Sequence, residues 1–302
     1  MISPPLIIRI IYNAESTISI LLVLSVPVVG SPLTDTTKIK PEGNSYSLFY
    51  PVPEISMREL NADRPDKTDC PFTVDAGHFQ VEMDLVNMTY NQPSSKHNYV
   101  GFTSTEIMPM NLKIGLFSNL DFQLVFTSYR WDKINYQNKG AAFSKAGFNG
   151  VTPRFKVNLI GNDGGFFALA LIPFLSLPVG QNPFGNNSVE GGLGIPVAFD
   201  IPGWDVGFQS TIHINRNDVG ISYHSEFDNS ISIGHSVFGG LSLSGEFFSN
   251  VSTDSNMSWV GTLDTWLTYQ VNENFRVDGG VYIGLTPAAD DWHPWIGFTW
   301  RY

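Results

Sequence analysis

From His78 to Tyr302, hydrophobic and polar positions alternate with period two, the signature of strands with one oily and one wet face. Phe79, Val81, Met83 and Leu85 fall on one side of the first run, with Gln80, Glu82 and Asp84 on the other. Met108, Met110, Leu112, Ile114 and Leu116 then alternate with Asn111 and Lys113, and Leu120, Phe122 and Leu124 with Asp121 and Gln123. The same rhythm separates Val151, Phe155 and Val157 from Arg154 and Lys156, and Tyr223, Phe227 and Ile231 from His224 and Glu226. It recurs for Leu241, Leu243 and Phe247 against Glu246, for Leu263 and Leu267 against Asp264, and for Phe275, Val277 and Val281 against Arg276 and Asp278. The run from Phe166 to Leu177 is apolar on both faces. Roughly twelve strands result, each of about the ten residues that a tilted membrane strand needs.

The connections between runs add a second pattern. Long gaps (about 91–106, 130–145 and 179–189) alternate with short ones around Phe117–Asn119, Gly161–Gly165 and Asp200–Gly203. Outer-membrane barrels have short turns at the periplasmic end, longer outer loops and an even strand number. A soluble sandwich has no reason to alternate so regularly. The expected fold is therefore all-β: a transmembrane, antiparallel up-and-down barrel over residues 78–302, with both termini periplasmic. Its apolar face meets outer-membrane lipid, and a closed sheet satisfies the backbone there. Tyr90, Tyr99, Tyr129, Trp131, Phe199, Trp204 and Trp292 gather near strand ends, as interfacial girdles do.

Ahead of the barrel, Ile18–Val29 is an apolar run too short to span a bilayer, preceded by Arg9 and followed by Gly30-Ser31-Pro32. Residues 1–30 read as a signal peptide. Residues 31–77 carry Pro32, Pro41, Pro51, Pro53, Pro65 and Pro71, a density that breaks helices and interior strands. This stretch is either a short periplasmic segment or a plug in the lumen.

Composition agrees with this picture. Only 15% of residues are charged, against roughly 25% in soluble domains. The net charge of -11 and the lack of a basic run argue against nucleic acid as a partner. The lone cysteine, Cys70, makes neither a disulfide nor a zinc site. His213, His224 and His235 recur at even spacing without the pairing of a metal centre, and Glu59, Asp63, Asp66 and Asp69 lack the glycine of a calcium loop. No phosphate-cradling glycine loop is present, so no cofactor is expected. A barrel-embedded lipase would need a serine near a histidine; in His224-Ser225 and His235-Ser236 the two members point to opposite faces.

Projected inward, Glu82, Asp84, Lys113, Asp121, Arg154, Lys156, Arg276 and Asp278 line the periplasmic half of the lumen, with Glu226, Glu246 and Asp264 on the same polar side. Charges of both signs at one depth either form a selective constriction or fill a narrow barrel with hydrated ion pairs.

The segment Ala62-Asp63-Arg64-Pro65-Asp66 onward, with Thr68, Pro71, Gly77, His78, Phe79, Gln80 and Glu82, resembles the opening motif of a family named for the meta-pathway of phenol degradation. Met57-Arg58-Glu59-Leu60 fits the same motif. The resemblance implies an outer-membrane transporter of small, often aromatic or hydrophobic solutes in a Gram-negative bacterium. The final strand, with Phe298, Trp300 and Tyr302 on one face, resembles the signal read by the barrel-assembly machinery, where a terminal Phe is commoner than Tyr. The expected function is passive movement of such solutes without catalysis; a structural or adhesive barrel lacking an open pore is the alternative.

Overall fold

The computed structural model describes residues 46–136, 142–180, 184, 188–217 and 221–302. The signal-peptide reading of 1–30, and the first part of 31–77, lie outside the described residues.

Thirteen strands form one closed antiparallel sheet: β1 (Phe79–Asn91), β2 (Val100–Phe117), β3 (Leu120–Tyr136), β4 (Ala142–Gly147), β5 (Val151–Ile160), β6 (Phe167–Ser176), β7 (Glu190–Ile201), β8 (Trp204–Arg216), β9 (Tyr223–Phe238), β10 (Leu241–Ser252), β11 (Val260–Asn272), β12 (Phe275–Gly284) and β13 (Trp292–Arg301). Apart from β4 and β5, each pairs with its sequence neighbours, and β13 closes the cylinder on β1 from Gln80↔Arg301 to Tyr90↔Trp292. β4 and β5 both pair with β3, at Arg130–Asn135 and Leu120–Phe126 respectively. They are two pieces of one stave, broken where Gly150 takes a positive φ of 101°. The barrel therefore has twelve staves.

Closure decides which face is which. Leu243 and Phe247 are 50% and 40% exposed, while Glu246 between them is 2% exposed. A sandwich core would bury the two apolar groups and expose the acid. Here the oily side chains form the outer wall and the charges point inward, the arrangement that hydrocarbon outside and polar packing inside would stabilise. Exposed rings mark two belts. Phe117, Trp204, Phe238 and Trp300 lie at one end, and Tyr90, Trp131, Tyr223, Trp259 and Trp292 at the other.

Tight turns at Ser118–Asn119, Pro202–Gly203, Gly239–Gly240 and Glu273–Asn274 gather at one end of the barrel, the end where β1 begins and β13 finishes. The longer connections lie opposite. Two of the long gaps expected from sequence are largely strand: β2 begins at Val100 rather than after residue 106, and β3 continues to Tyr136, with β4 rising opposite it. Polar residues there, such as Ser104 and Asp132, bond to each other (2.7 Å) on the inner face, so a segment of low hydrophobicity still forms a ladder.

Strict alternation also fails at mid-height. Leu85 and Val86 are both exposed, as are Ile107 and Met108, the latter at φ 54°. Glu82 and Asn87 both make polar contacts on the inner side, and so do Glu106 and Lys113, so side-chain parity changes across these pairs. A bulge inserts one residue and swaps the two faces beyond it. The swap on β2 falls just before Met108, so Met108, Met110 and Leu112 share the outward face as the period-two reading has them, while Ile107 belongs to the other parity.

Candidate functional site

Inside the cylinder, residues 58–76 are joined to inward-facing side chains of the wall. The segment has no regular secondary structure from Asn61 to Asp75. Irregular backbone at membrane depth has to be satisfied by protein, and the wall supplies the partners. Carboxylates and an amide accept from its N–H groups: Glu82 from Asp63 (3.1 Å), Glu246 from Lys67 (3.0 Å) and Thr68 (2.8 Å), Gln209 from Asp69 (2.5 Å), and Asp121 from Val74 (3.0 Å). Wall donors meet its carbonyls in turn. Lys156 Nζ donates to Cys70 O (2.7 Å), Asn158 to Pro71 O (2.8 Å), Arg276 to Arg64 O (2.9 Å), and the Tyr282 hydroxyl to Pro65 O (2.7 Å).

Charges are sorted as well as bonds. On β2 and β5 the wall offers bases, and the segment meets them with acids, while Asp121 of β3 between them takes a backbone N–H. Asp63 accepts from Lys113 (2.6 Å), Arg154 (2.9 Å) and Lys156, and Asp69 pairs with Arg154 at 3.1 Å. On β1, β11 and β12 the wall acids meet bases of the segment, beside Arg276 of β12, which donates to a carbonyl. Arg64 pairs with Asp84 (2.7 Å) and Asp278 (2.5 Å), and Lys67 with Asp264 (3.0 Å). Burial works against the charge on Asp63, yet Lys113, Lys156 and Arg154 together hold its carboxyl far below the usual carboxylate range.

Of the residues singled out from sequence, ten meet the segment or its direct partners: Glu82, Asp84, Lys113, Asp121, Arg154, Lys156, Glu246, Asp264, Arg276 and Asp278. Glu226 stands apart, bonded to Asn215 (2.8 Å), His224 (2.9 Å) and Asn250 (3.0 Å) nearer the long-loop end. Phe298, Trp300 and Tyr302 lie on the last strand; Trp300 and Tyr302 are exposed and Phe298 packs on Phe275. Period-two reasoning did not single out Gln209 and Tyr282, nor Asp63, Arg64 and Lys67 as partners of the wall. The weighed cation site at Glu59, Asp63, Asp66 and Asp69 does not assemble, because Asp63 and Asp69 are turned to basic side chains. Among the described residues no His, Cys, Asp and Glu group has metal-binding geometry. The three spaced histidines have separate partners: His213 faces Asp228 (2.8 Å), His224 Glu226, and His235 the Gly203 carbonyl (2.5 Å).

At the long-loop rim, Asp291 accepts from Lys96 (2.7 Å), the Gln92 N–H (2.9 Å) and His97 (3.1 Å), tying the 92–99 loop to the 285–291 loop. Slight burial opposes its charge, but these donors prevail and hold Asp291 at about 2. A carboxyl lowered from its unfolded value of about 3.9 stabilises fully above that value and loses the contribution as pH falls through the folded one. The two loops should therefore stay tied from pH 7 to about 4 and separate on approach to pH 2, read through the fluorescence of neighbouring Trp292. Separation already complete at pH 5 would contradict this assignment.

Among solved structures, the NanC porin is similar at 9% identity and a TM-score of 0.49, over 72% of this chain and 98% of that one. The CymD monoaromatic hydrocarbon channel is similar at 8% identity and 0.39, over 74% and 87%. Outer membrane phospholipase A from Escherichia coli is similar at 10% and 0.35, over 80% and 94%. No curated protein sequence matches. The family model described as "Putative MetA-pathway of phenol degradation" matches residues 62–302, from the first residues of the lumenal segment to the C-terminus. The chain is a closed antiparallel β-barrel and belongs to that family.

Proposed function

We propose that the protein is an outer-membrane channel for small hydrophobic or aromatic solutes, closed at rest by its own lumenal segment. One observation carries this reading: residues 58–76 meet the wall with complementary charge on both sides, acids against Lys113, Arg154 and Lys156, bases against Asp84, Asp264 and Asp278. A barrel stabilised only as a scaffold gains little from so many buried charges, since buried ion pairs barely repay their desolvation. A removable, charge-matched stopper makes use of them. The chemistry on the inner face is ion pairing and hydrogen bonding, which supports a transporter rather than a catalyst. The family name supports aromatic solutes.

The shared end of the tight turns, β1 and β13 supports periplasmic termini in a Gram-negative envelope. Phe298, Trp300 and Tyr302 are then the face offered to the barrel-assembly machinery.

The test is uptake of radiolabelled naphthalene by intact cells whose lipopolysaccharide leaflet slows its passage. Cells making the full chain should take it up several-fold faster than cells without it, while planar bilayers holding the same protein stay nearly silent to ions. Uptake equal to the empty cells, with silent bilayers, would instead favour the structural or adhesive reading.

A further inference from the structure

β6 is held less firmly by the polar framework than the walls on either side of the barrel. Its inward positions are Ala168, Ala170, Ile172 and Phe174, and the facing positions of β7 are Gly192, Gly194, Pro196 and Ala198. Neither set offers a side-chain donor or acceptor at the depth of the lumenal segment. The segment is anchored instead on β1, β5, β8, β10 and β12. Outward, β6 presents Leu169, Leu171, Pro173 and Leu175, so it is oily on both sides.

Its backbone is thinly held too. In an antiparallel pair, a residue sends its N–H and C=O to the same neighbour, and successive residues alternate between neighbours. Asn158 donates to Asn119 on the β3 side, and Leu177 donates to Val151 of β5 (both 2.9 Å). Odd positions of β5 and of β6 therefore face each other across the seam. Pro153 and Pro173 are both odd, on opposite strands, and stand opposite Leu175 and Phe155 in the register set by Arg154↔Phe174. Each lacks an N–H, so two neighbouring rungs of one seam each lose a donor. The paired residues of the two strands are Arg154↔Phe174, Val157↔Leu171, Asn158↔Ala170 and Ile160↔Leu169, with one isolated bridge, Val151↔Leu177, beyond them. On its other side, Asp200 donates to Phe166 O (3.0 Å), which fixes even positions as the bonded ones. Pro196, opposite Ala170, withholds a donor there as well. Proline is normally confined to sheet edges and bulges, and here it gives the middle of a closed barrel the character of an edge.

We propose that the β5–β6 seam is a lateral exit, through which uncharged, hydrocarbon-like solutes pass between the lumen and the membrane interior. This rests on the channel reading above and adds the route. Opening a full ladder into hydrocarbon strands donors and acceptors, each at a cost of several kcal/mol; a seam already short of donors strands fewer. The apolar inner face of β6 wets such a solute, and the polar walls keep the segment anchored while it passes.

A disulfide lock tests the route. Thr152 and Ser176 face each other across the seam, their hydroxyls 3.0 Å apart. In a Cys70→Ser background, oxidised Thr152→Cys/Ser176→Cys should lower naphthalene uptake by intact cells at least tenfold, with recovery on reduction. A control lock across β9–β10, Ser236→Cys/Ser242→Cys, should leave uptake unchanged. Uptake indifferent to the seam lock, or equally reduced by both locks, overturns the proposal. If the unlocked chain carries nothing, the channel reading has failed, and the seam is judged by amide exchange in nanodiscs. Amides of residues 166–177 should then exchange at least tenfold faster than those of 241–252, and Pro153→Thr/Pro173→Leu should slow them. Equal protection of the two strands would rule out a weak seam.

Discussion

Replacing Asp63 by Ala is expected to unseat the lumenal segment and turn a nearly silent barrel into a conducting one. The carboxylate accepts from Lys113, Arg154 and Lys156 and from the Cys70 N–H (3.2 Å). Its loss strands the wholly buried Lys156 beside two further cations, Lys113 and Arg154, which keep Glu82 and Asp69 as acidic partners. Removing one partner of a buried pair costs about 3–5 kcal/mol, because the remaining charge is stranded. The barrel ladder does not pass through Asp63, so the strain should fall on the segment. Protease cleavage near residues 58–76 and a stepwise rise in bilayer conductance are the readouts. Asp63→Asn, which keeps the shape and some bonds, should act in the same direction more weakly. Asp63→Ala/Lys156→Met should recover part of the protection, since one orphaned cation is gone. A protected segment and a silent bilayer in Asp63→Ala would show that charge matching does not hold the closure.

Gly115→Val is expected to have a comparable effect without altering any charge. Gly115 bonds to the end of the segment, its carbonyl accepting from the Gly77 N–H (2.9 Å) and its N–H donating to His78 O (3.0 Å). A Cβ at this position would fall on the Asp75 carbonyl, with Val74 O 2.7 Å away. These are backbone atoms of the lumenal segment and cannot swing aside as the end of a flexible side chain would. Overpacking of this sort costs about 1–3 kcal/mol, and the cheapest relief is displacement of Asp75. That movement also strains the Arg58–Asp75 pair (2.7 Å) and the bond from Arg301 to the Arg58 carbonyl (2.9 Å). Heat-modifiable migration should stay near normal while residues 58–76 become protease-sensitive. Unchanged protease resistance would mean the wall flexes to admit the methyl groups, and the close approach at Gly115 would then have no gating consequence.

Most of the cylinder is legible without coordinates, because a two-residue period is local. Leu243, Glu246 and Phe247 announce their sides from their order alone, and hydrocarbon on one side leaves them no other consistent placement. The even count of staves and the rhythm of turns follow from the same local signals. The changes of side-chain parity at Leu85–Val86 and Ile107–Met108 escape this logic, since they leave no compositional mark. Long polar stretches in β2, β3 and β4 escape it as well; their pairing is secured by neighbours across the barrel rather than by their own hydrophobicity.

The alternation, the closed all-β architecture, the polar inner set and the family motif beginning at Ala62 are all written in residue order. Which charges meet depends on the folded barrel: Asp63 with Lys113 and Lys156 of two different strands, and Arg64 with Asp278 more than two hundred residues away. Nothing in the period of a strand encodes a partner on an aperiodic segment. Such pairing depends on distances across a lumen that exists once the last strand has closed on the first.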